Sequence, residues 1–394
     1  MVHYDPFSAE VMEDPYPVYA RLRAEAPVHF LEKYGAWALA RFEDVWTLSS
    51  DPRLSVAQGT TPSQVLTKVQ PVTPMLNLMD PPDHTRLRVK LRGFLLPRAI
   101  GALEPMAREI VTQCLDEVLP KGRVDVLGEF GMRLSVRIAC RAVGIPLEDA
   151  ALLASLVNRF FGREPGVDGM TADGLAAAQE LIVYFMELVA AREKQGSTVE
   201  DPVNLFRHAE VGGRKLAPEE IASHLSMLII GGSETFPKTL ANAMWRLSEH
   251  PDQRAWLRAN PAAIPDAYRE TLRYDMPTQF LCRTVTEPIE LHGHRLEPGQ
   301  GVCFLYASAN RDEREFENPD VLDLQRKPAR ILSFGAGIHS CIGLHVAQME
   351  ARVCLEEALR RMPDWEVDWA DSERLRTEFV QGFAKLTVAF APRS

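Results

Sequence analysis

The sequence predicts a mainly α-helical protein with small β-sheets. Apolar residues recur at helical spacing over almost all of residues 100–195 and again over 218–250. Short segments in which apolar residues alternate, near both ends of the chain, predict strands. The chain has 394 residues, 46% of them hydrophobic, and contains no obvious repeat or low-complexity segment. We therefore expect one large domain that spans residues 1–394.

The first eighty or so residues predict a small sheet flanked by helices. A short helix at 17–26 is followed by strand-like segments at 28–30 and 37–40, and then by a helical segment at 42–50. Residues 55–77 are rich in Thr, Ser, Gln, Pro and Gly and have no clear period. Such a long irregular segment inside a compact chain is typical of disorder or of a lid over a site, and we favour the lid.

The remaining elements follow from the same patterns. Helices are predicted at 102–119, 126–143, 147–161 and 171–194, with breaks at 120–122, 144–146 and 164–166. A hairpin is predicted at 289–306, and the last helix ends near Pro363. A terminal hairpin is predicted at 376–390, with a turn at residues 381–383 that reaches towards a pocket.

The longest predicted helix, at 218–250, contains a segment that is unfavourable for a helix. Each internal Gly costs about 1 kcal/mol relative to Ala and an internal Pro about 3 kcal/mol, yet Gly231, Gly232 and Pro237 all lie near its middle. This cost indicates a functional kink. Met227, Gly231 and Thr235 are four residues apart and share one stripe of the helix. Alternatively, Thr235 bonds its own helix and the glycines only permit close packing.

Residues 334–343 place a cysteine between a glycine-rich turn and a helix. Gly335 and Gly337 allow backbone conformations that are closed to residues with a Cβ atom. Cys341 then lies near the free N–H groups of the following helix, where a thiolate is favoured over a thiol. The alternative is an ordinary buried cysteine after a turn.

Two shorter patterns carry charge. His84 and Arg88 are four residues apart at the start of a helix, where they share a face and can hold a carboxylate; a solvated basic face is the alternative. Glu270 and Arg273 are three apart on another helix, a spacing that is also common for exposed pairs.

Three of these patterns resemble motifs of the cytochrome P450 family. Residues 334–343 match every fixed position of the haem-binding loop Phe-x-x-Gly-x-His/Arg-x-Cys-x-Gly. The segment Gly-Gly-x-Glu-Thr at 231–235 resembles the oxygen-activation motif, although Phe236 stands where a second Thr or Ser is common and Pro237 follows. Glu270 and Arg273 match Glu-x-x-Arg. The motifs occur in the family's order along nearly the whole chain.

The resemblance implies the cytochrome P450 fold, with the long central helix over a haem b, and a role for each matching residue. Cys341 is implied as the iron ligand, in a haem-binding loop that includes Phe334, Gly335 and Gly343. Glu234 and Thr235 are implied in proton delivery. The implied partners of the haem propionates are His84, Arg88, Arg283 and His339. A structural network is implied for Glu270, Arg273 and Arg326. The residues expected to shape the substrate pocket are Met227, Ile230, Gly231, Met276, Phe280 and Phe383, with apolar residues of 56–79.

The composition and charge of the chain limit the kinds of partner that we expect it to bind. The chain has 44 basic and 54 acidic residues, a net charge of −10, which disfavours nucleic acid or an anionic membrane as a partner. The first 21 residues have neither a signal peptide's apolar core nor a membrane anchor. We expect a soluble, cytoplasmic monomer. Six scattered cysteines indicate reduced thiols, five of which only pack.

The function expected from the resemblance is that of a haem-thiolate monooxygenase. It would insert one atom of O2 into a small apolar substrate, by hydroxylation or epoxidation, with electrons from NAD(P)H delivered through ferredoxin reductase and ferredoxin. One alternative is a peroxide-driven peroxygenase, against which Glu234 and Thr235 argue because such relatives typically lack this pair. The other alternative is a haem-based sensor or carrier without turnover.

Overall fold

The computed structural model describes residues 2–69, 75–162 and 170–392, and these are mainly α-helical. Their α-helices are α1 (Ala9–Glu13), α2 (Tyr16–Glu25), α3 (Phe42–Leu48), α4 (Pro62–Val65), α5 (Asp83–Arg92), α6 (Pro97–Gly101), α7 (Glu104–Val118), α8 (Met132–Val143), α9 (Ala150–Phe160), α10 (Ala172–Lys194), α11 (Pro202–Arg207), α12 (Pro218–Ser233), α13 (Thr235–Glu249), α14 (Pro251–Ala259), α15 (Ile264–Tyr274), α16 (Tyr306–Ala309) and α17 (Leu344–Arg361).

The strands form small sheets. They are β1 (Val28–Leu31), β2 (Ala36–Leu39), β3 (Leu54–Ser55), β4 (Arg123–Asp125), β5 (Glu210–Val211), β6 (Arg214–Lys215), β7 (Leu281–Val285), β8 (Ile289–Leu291), β9 (His294–Leu296), β10 (Gly301–Phe304), β11 (Trp365–Val367), β12 (Glu373–Arg376), β13 (Gln381–Lys385) and β14 (Thr387–Phe390). One sheet has the order β1-β2-β10-β7-β3, and another has the order β11-β14-β4. The pairs β5–β6, β8–β9 and β12–β13 form two-stranded sheets. The predicted fold class is therefore confirmed.

Most predicted helices are present with shifts of a few residues at their ends. The predicted helix at 126–143 begins with a π-helical stretch, Val126–Gly131, and continues as α8. The predicted break at 164–166 lies outside the described residues. Within the segment predicted to be irregular, β3 and α4 are ordered elements, and Thr61 caps α4 in a capping box with Gln64.

The hairpin predicted at 289–306 is correct only in its first part. His292 and Gly293 have positive φ angles of 49° and 80°, so they form a tight turn between β8 and β9. The next strand, β10, instead pairs with β2 and β7. All four residues of β10 are buried, because the strand lies inside the five-stranded sheet.

The terminal hairpin was predicted with its turn at the wrong place. Strands β12 and β13 pair with each other, and the connecting turn comprises residues 377–380. Thr377 closes this turn: its Oγ1 accepts a hydrogen bond from the N–H of Val380 at 3.0 Å. Residues 381–383 therefore lie in β13, and β14 belongs to the three-stranded sheet. The alternating pattern extended over two separate strand pairings, which the sequence could not distinguish.

Two hydrophobic cores hold these elements together. One surrounds the five-stranded sheet and the helices α7, α13, α15 and α17, and the other lies among α8, α9, α10, α11 and α12. Among the described residues, α10 alone is long and apolar enough to cross a membrane by length and composition. However, Leu181, Phe185 and Val189 of this helix are buried in the second core.

The predicted long central helix is interrupted at one residue. Helix α12 ends at Ser233 and α13 begins at Thr235, with Glu234 between them. Glu234 keeps right-handed helical angles (φ −97°, ψ −34°), so the chain continues in the helical sense across the interruption. The predicted kink therefore has a defined position.

Candidate functional site

The loop that carries Cys341 depends on two glycines. Gly335 and Gly337 both have positive φ angles, 65° and 69°. A Cβ atom on Gly337 would lie 2.4 Å from the carbonyl oxygen of Ser49, so this glycine is also required for the close approach of the end of α3. The loop closes on itself where the N–H of Cys341 donates to the carbonyl oxygen of Phe334 at 2.7 Å.

Cys341 faces a cavity. Its side chain is exposed to a cavity of about 600 Å³, which is also lined by His84 and Arg88 of α5 and by Leu344 at the start of α17. Protein atoms surround the thiol on its other sides. The other five cysteines are free and buried, as predicted.

The protein alone does not favour the Cys341 thiolate, contrary to the prediction. Burial raises the pKa of the Cys341 thiol, and this effect outweighs the hydrogen bond from the N–H of Gly343 and the charge of Arg88, which both lower it. A thiol that coordinates a metal ion is deprotonated by the metal itself. When bound, the iron would therefore supply the preference for the thiolate that the surrounding residues alone do not give.

The four residues predicted to bind the haem propionates lie near one another, beside the loop of Cys341. His84 and His339 lie with their ring centroids 4.2 Å apart. Arg88 donates to the carbonyl oxygen of Ser340, and Arg283, on β7, is almost fully buried. Within the described ranges, no carboxylate forms an ion pair with any of these four side chains.

The environment of the two histidines keeps them neutral. Burial, followed by the charge of Arg88, lowers the pKa of His84 to about 4. Burial, followed by the proximity of His84, Arg283 and Arg88, lowers the pKa of His339 to about 3. Both ring nitrogens of His84 are buried without a hydrogen-bond partner among the described residues. Orphaned donors beside two arginines form a site that fits an anionic group.

These residues fit a haem. A haem carries two propionates, which would lie against the unpaired ring nitrogens of His84, the ring of His339 and the charges of Arg88 and Arg283. Its iron would bind the Cys341 thiolate, and Gly343 leaves space beside the sulfur, since a Cβ atom there would come no closer to Sγ than 3.9 Å.

The central helix presents two faces at its interruption. Gly231 and Thr235 are exposed and Met227 is half-buried, so the predicted stripe faces open space, and a Cβ atom on Gly231 would meet nothing within 4 Å. Glu234 is buried and forms an ion pair with Lys238, one turn along α13. Lys238 was not among the predicted site residues, although its four-residue spacing from Glu234 was a signal for this pair.

Glu270, Arg273 and Arg326 form the three-residue arrangement that the resemblance implies. Oε2 of Glu270 accepts from Nε of Arg273 at 2.7 Å, and both side chains are fully buried. Oε1 of Glu270 accepts from Nε of Arg326 at 3.2 Å. Arg273 also donates to the carbonyl oxygen of Asn310, whose side chain accepts from the N–H of Leu332. The network therefore continues to within two residues of Phe334.

The six residues predicted to line the substrate pocket do not share one environment. Met227, Ile230 and Gly231 are half-buried or exposed on α12, whereas Met276, Phe280 and Phe383 are buried in the first core. Within the described ranges, none of the six lines the cavity at Cys341.

Phe383 has a different setting from the one predicted. Its ring packs against Trp245 and Trp369, with ring centroids 5.3 and 6.2 Å away, because residue 383 lies in β13 and not in a turn. The true turn, residues 377–380, was not predicted. It contacts the 276–280 loop, where the N–H of Gln279 donates to the carbonyl oxygen of Phe379 at 2.7 Å.

Comparisons with known proteins agree with this geometry. A family model described as "Cytochrome P450" matches residues 172–387. The chain is 34% identical over 400 residues to the "Biotin biosynthesis cytochrome P450" of Bacillus subtilis, covering 97% of this chain and 98% of that protein. It is 32% identical over 400 residues to the "Vitamin D(3) 25-hydroxylase" of Pseudonocardia autotrophica, covering 99% and 97% of the two chains.

A solved structure is similar over its whole length. The structure described as "P450BioI in complex with hexadec-9Z-enoic acid ligated Acyl Carrier Protein" superposes with a TM-score of 0.85 at 30% identity, covering 97% of this chain and 100% of that one. Fold, cysteine loop and relatives lead to one conclusion: this chain belongs to the cytochrome P450 family, the haem-thiolate monooxygenases.

Proposed function

We propose that this protein, acting as a single domain, inserts one atom of O2 into a small apolar organic substrate, with haem b as its cofactor. The observation that carries the proposal is the exposure of Cys341 to a cavity lined by His84 and Arg88, neither of which forms an ion pair with a carboxylate among the described residues. When bound, the haem would supply the activation of O2. The protein would act as a soluble, cytoplasmic monomer.

The chain's own residues would divide the remaining work. Cys341 would hold the iron, and His84, Arg88, Arg283 and His339 would hold the propionates. Thr235 faces open space and would hold a water molecule that directs protons to the far oxygen atom of O2. Glu234 would supply those protons, for which its carboxylate must separate from Lys238.

The proposed substrate class is apolar because of the stripe on α12 and the two relatives. Met227, Ile230 and Gly231 offer an apolar surface with no charged group on that stripe. The names of the similar proteins mention a long-chain fatty acid carried on a protein and vitamin D3, both of which are largely apolar. A spectral screen of terpenoids, steroids, aromatics and fatty acids for displacement of the iron-bound water would identify candidate substrates.

The proposed electron source is NAD(P)H, through ferredoxin reductase and ferredoxin. The donor would approach on the cysteine side, where Arg86 and Lys90 are exposed on α5. Arg92 and Arg269 line the same cavity as Cys341 and add positive charge to this side. An acidic ferredoxin would be steered to such a surface.

The test of the proposal begins with the ligand. We expect Cys341→His to abolish the long-wavelength absorption that a thiolate-ligated ferrous haem shows with carbon monoxide. Cys354→Ala is the matched control, since Cys354 is a buried cysteine on α17, and this variant should keep the absorption. If the absorption persisted in Cys341→His, the assigned ligand would be wrong.

The second part of the test distinguishes the alternatives. NAD(P)H oxidation that requires ferredoxin and reductase and yields an oxygenated product supports a monooxygenase. Product formed only with added hydrogen peroxide would indicate a peroxygenase. The protein would be a sensor or carrier if it bound haem but converted none of the compounds that displace the iron-bound water.

A further inference from the structure

The interruption of the central helix leaves one backbone group that the helix cannot satisfy. Pro237 has no N–H, so the carbonyl of Ser233, four residues before it, has no intrahelical donor. The adjacent intrahelical bond is present but long: the N–H of Glu234 donates to the carbonyl oxygen of Ile230 at 3.3 Å. Ser233 is itself fully buried, where an unpaired carbonyl is costly.

A side chain from another helix takes the place of the missing donor. Ser135 lies on α8, is fully buried, and its hydroxyl donates to the carbonyl oxygen of Ser233 at 2.8 Å. The two residues are 98 positions apart in the chain. The Ser135 hydroxyl therefore replaces the backbone N–H that Pro237 lacks as the donor to the Ser233 carbonyl.

Two further residues, one just before α8 and one within it, pack against the interruption. Gly131, four residues before Ser135, packs on Pro237 so closely that a Cβ atom there would lie 2.9 Å from the proline Cα. Ala139, four residues after Ser135, lies against Gly232, where a Cβ atom would be 3.2 Å from that of Ala139. Ser135 is thus held by close packing on both sides, which keeps its hydroxyl at the Ser233 carbonyl.

We propose that Ser135 is a positioning residue for oxygen activation: with Pro237, it fixes the helix interruption and thereby the placement of Glu234 and Thr235. The inference rests on the proposed role of Thr235 in proton delivery. It makes the interruption a property of the chain, built by α8 before any ligand binds. Pro237, which departs from the family's motif, is accommodated by its close contact with Gly131, the residue before α8.

Amide hydrogen exchange of the haem-loaded protein tests the structural step. Ser135→Ala leaves the Ser233 carbonyl without a donor, and we expect about tenfold faster exchange in peptides covering 229–240, the cost of one buried unpaired group. In a Pro237→Ala background the new N–H can bond the same carbonyl, so Ser135→Ala should add nothing. Equal acceleration in both backgrounds, or in neither, would overturn the inference.

The ratio of NADPH to O2 consumed tests the functional step without any organic substrate. A plant-type ferredoxin and its reductase supply the electrons: two electrons and two protons reduce O2 to hydrogen peroxide, whereas four of each reduce it to two water molecules. Misplaced proton delivery lowers the ratio towards one and raises the peroxide yield. We expect Ser135→Ala to change both in the same direction as Thr235→Ala, and to lose this effect in the Pro237→Ala background.

The control variants separate this inference from the proposed function. Ser223→Ala removes a buried serine hydroxyl of α12 that bonds its own helix, and it should alter neither measurement. Ser135→Cys keeps a weak donor of similar volume and should give intermediate values, which also covers a failure of Ser135→Ala to fold. A change in Thr235→Ala without one in Ser135→Ala would refute the inference alone. No change in Thr235→Ala would refute the role of Thr235, and hydrogen exchange would still decide whether Ser135 holds the interruption.

Discussion

The loss of Glu270 should destabilise the whole fold. Arg273 is fully buried, and among the described residues the Glu270 carboxylate is the only negative charge that pairs with it. The carboxylate accepts from Arg273 at 2.7 and 2.9 Å, from Arg326 at 3.2 Å and from the N–H of Asp323 at 3.2 Å. Glu270→Ala would leave the Arg273 guanidinium as an uncompensated buried charge. Such a change costs about 3 to 5 kcal/mol.

The structure favours the lower end of that range. Arg273 also donates to the carbonyl oxygens of Asn310 and Pro319, each at 2.8 Å, so part of its hydrogen bonding survives the substitution. We therefore expect Glu270→Ala to lower the free energy of unfolding by about 3 kcal/mol. Haem retention should fall as well, since Asn310 links this network to Leu332 and so to the loop of Cys341.

Urea unfolding followed by far-UV circular dichroism, with haem content measured on the same samples, checks this prediction. The matched control is Glu357→Ala, which removes a glutamate three residues before an arginine in the same order, but from a pair whose Arg360 is 66% exposed. Glu357 itself is 16% exposed and also lies 4.0 Å from Nη1 of Arg108. A pair whose arginine is largely exposed contributes about 0 to 1 kcal/mol, so this control should unfold nearly as the wild type does. If Glu270→Ala matched the control, the buried network would contribute no more than a surface pair, and our reasoning about it would be refuted.

Three further predictions concern turnover. Thr235→Ala should leave NAD(P)H oxidation fast while diverting most of it to hydrogen peroxide, whereas Glu234→Ala should slow the whole cycle; normal coupling in Thr235→Ala would contradict its role. Lys238→Met removes the cation beside the Glu234 carboxylate and so favours its protonated, proton-donating form, and the alkaline limb of the pH profile of product formation should move to higher pH; an unmoved profile would exclude Lys238 from control of Glu234. Reversing the charges of Arg86 and Lys90 together should slow reduction by ferredoxin and flatten its salt dependence, whereas unchanged kinetics would place the docking site elsewhere.

The sequence predicted best those features that depend on neighbouring residues. The helical period located α7 to α10 within a few residues, and the glycines at 335 and 337 indicated the turn before Cys341, because a positive φ is a local requirement. The resemblance linked Arg326 to Glu270, 56 residues away. Each of these features could be predicted from the spacing of residues along the chain.

Features that depend on which segments pack together were not predictable in the same way. A period of two indicates a strand but not its partner, so β10 was assigned to a hairpin although it pairs with β2 and β7. The bond from Ser135 to Ser233 joins two helices, and nothing in the local sequence of either indicates it. The prediction that the Cys341 site favours a thiolate counted the helix dipole but not the burial of the thiol, which is the larger effect.

The two residues of the oxygen-activation motif face different surroundings, and this difference is the reason to expect different phenotypes from them. Consecutive residues of a helix point about 100° apart, so Glu234 and Thr235 cannot both face the open stripe of Gly231. Thr235 faces that stripe, while Glu234 lies inside the protein with Lys238, whose Nζ is 5.6 Å from the ring centroid of Phe161 at the end of α9. A hydroxyl in open space can hold a water molecule and determine where a proton arrives. A buried carboxylate paired with a lysine can instead control when a proton arrives, because its release requires the pair to open. On the roles proposed for Glu234 and Thr235, these two tasks separate at the interruption, which is bounded by the Ser233 carbonyl that Ser135 binds and by Pro237.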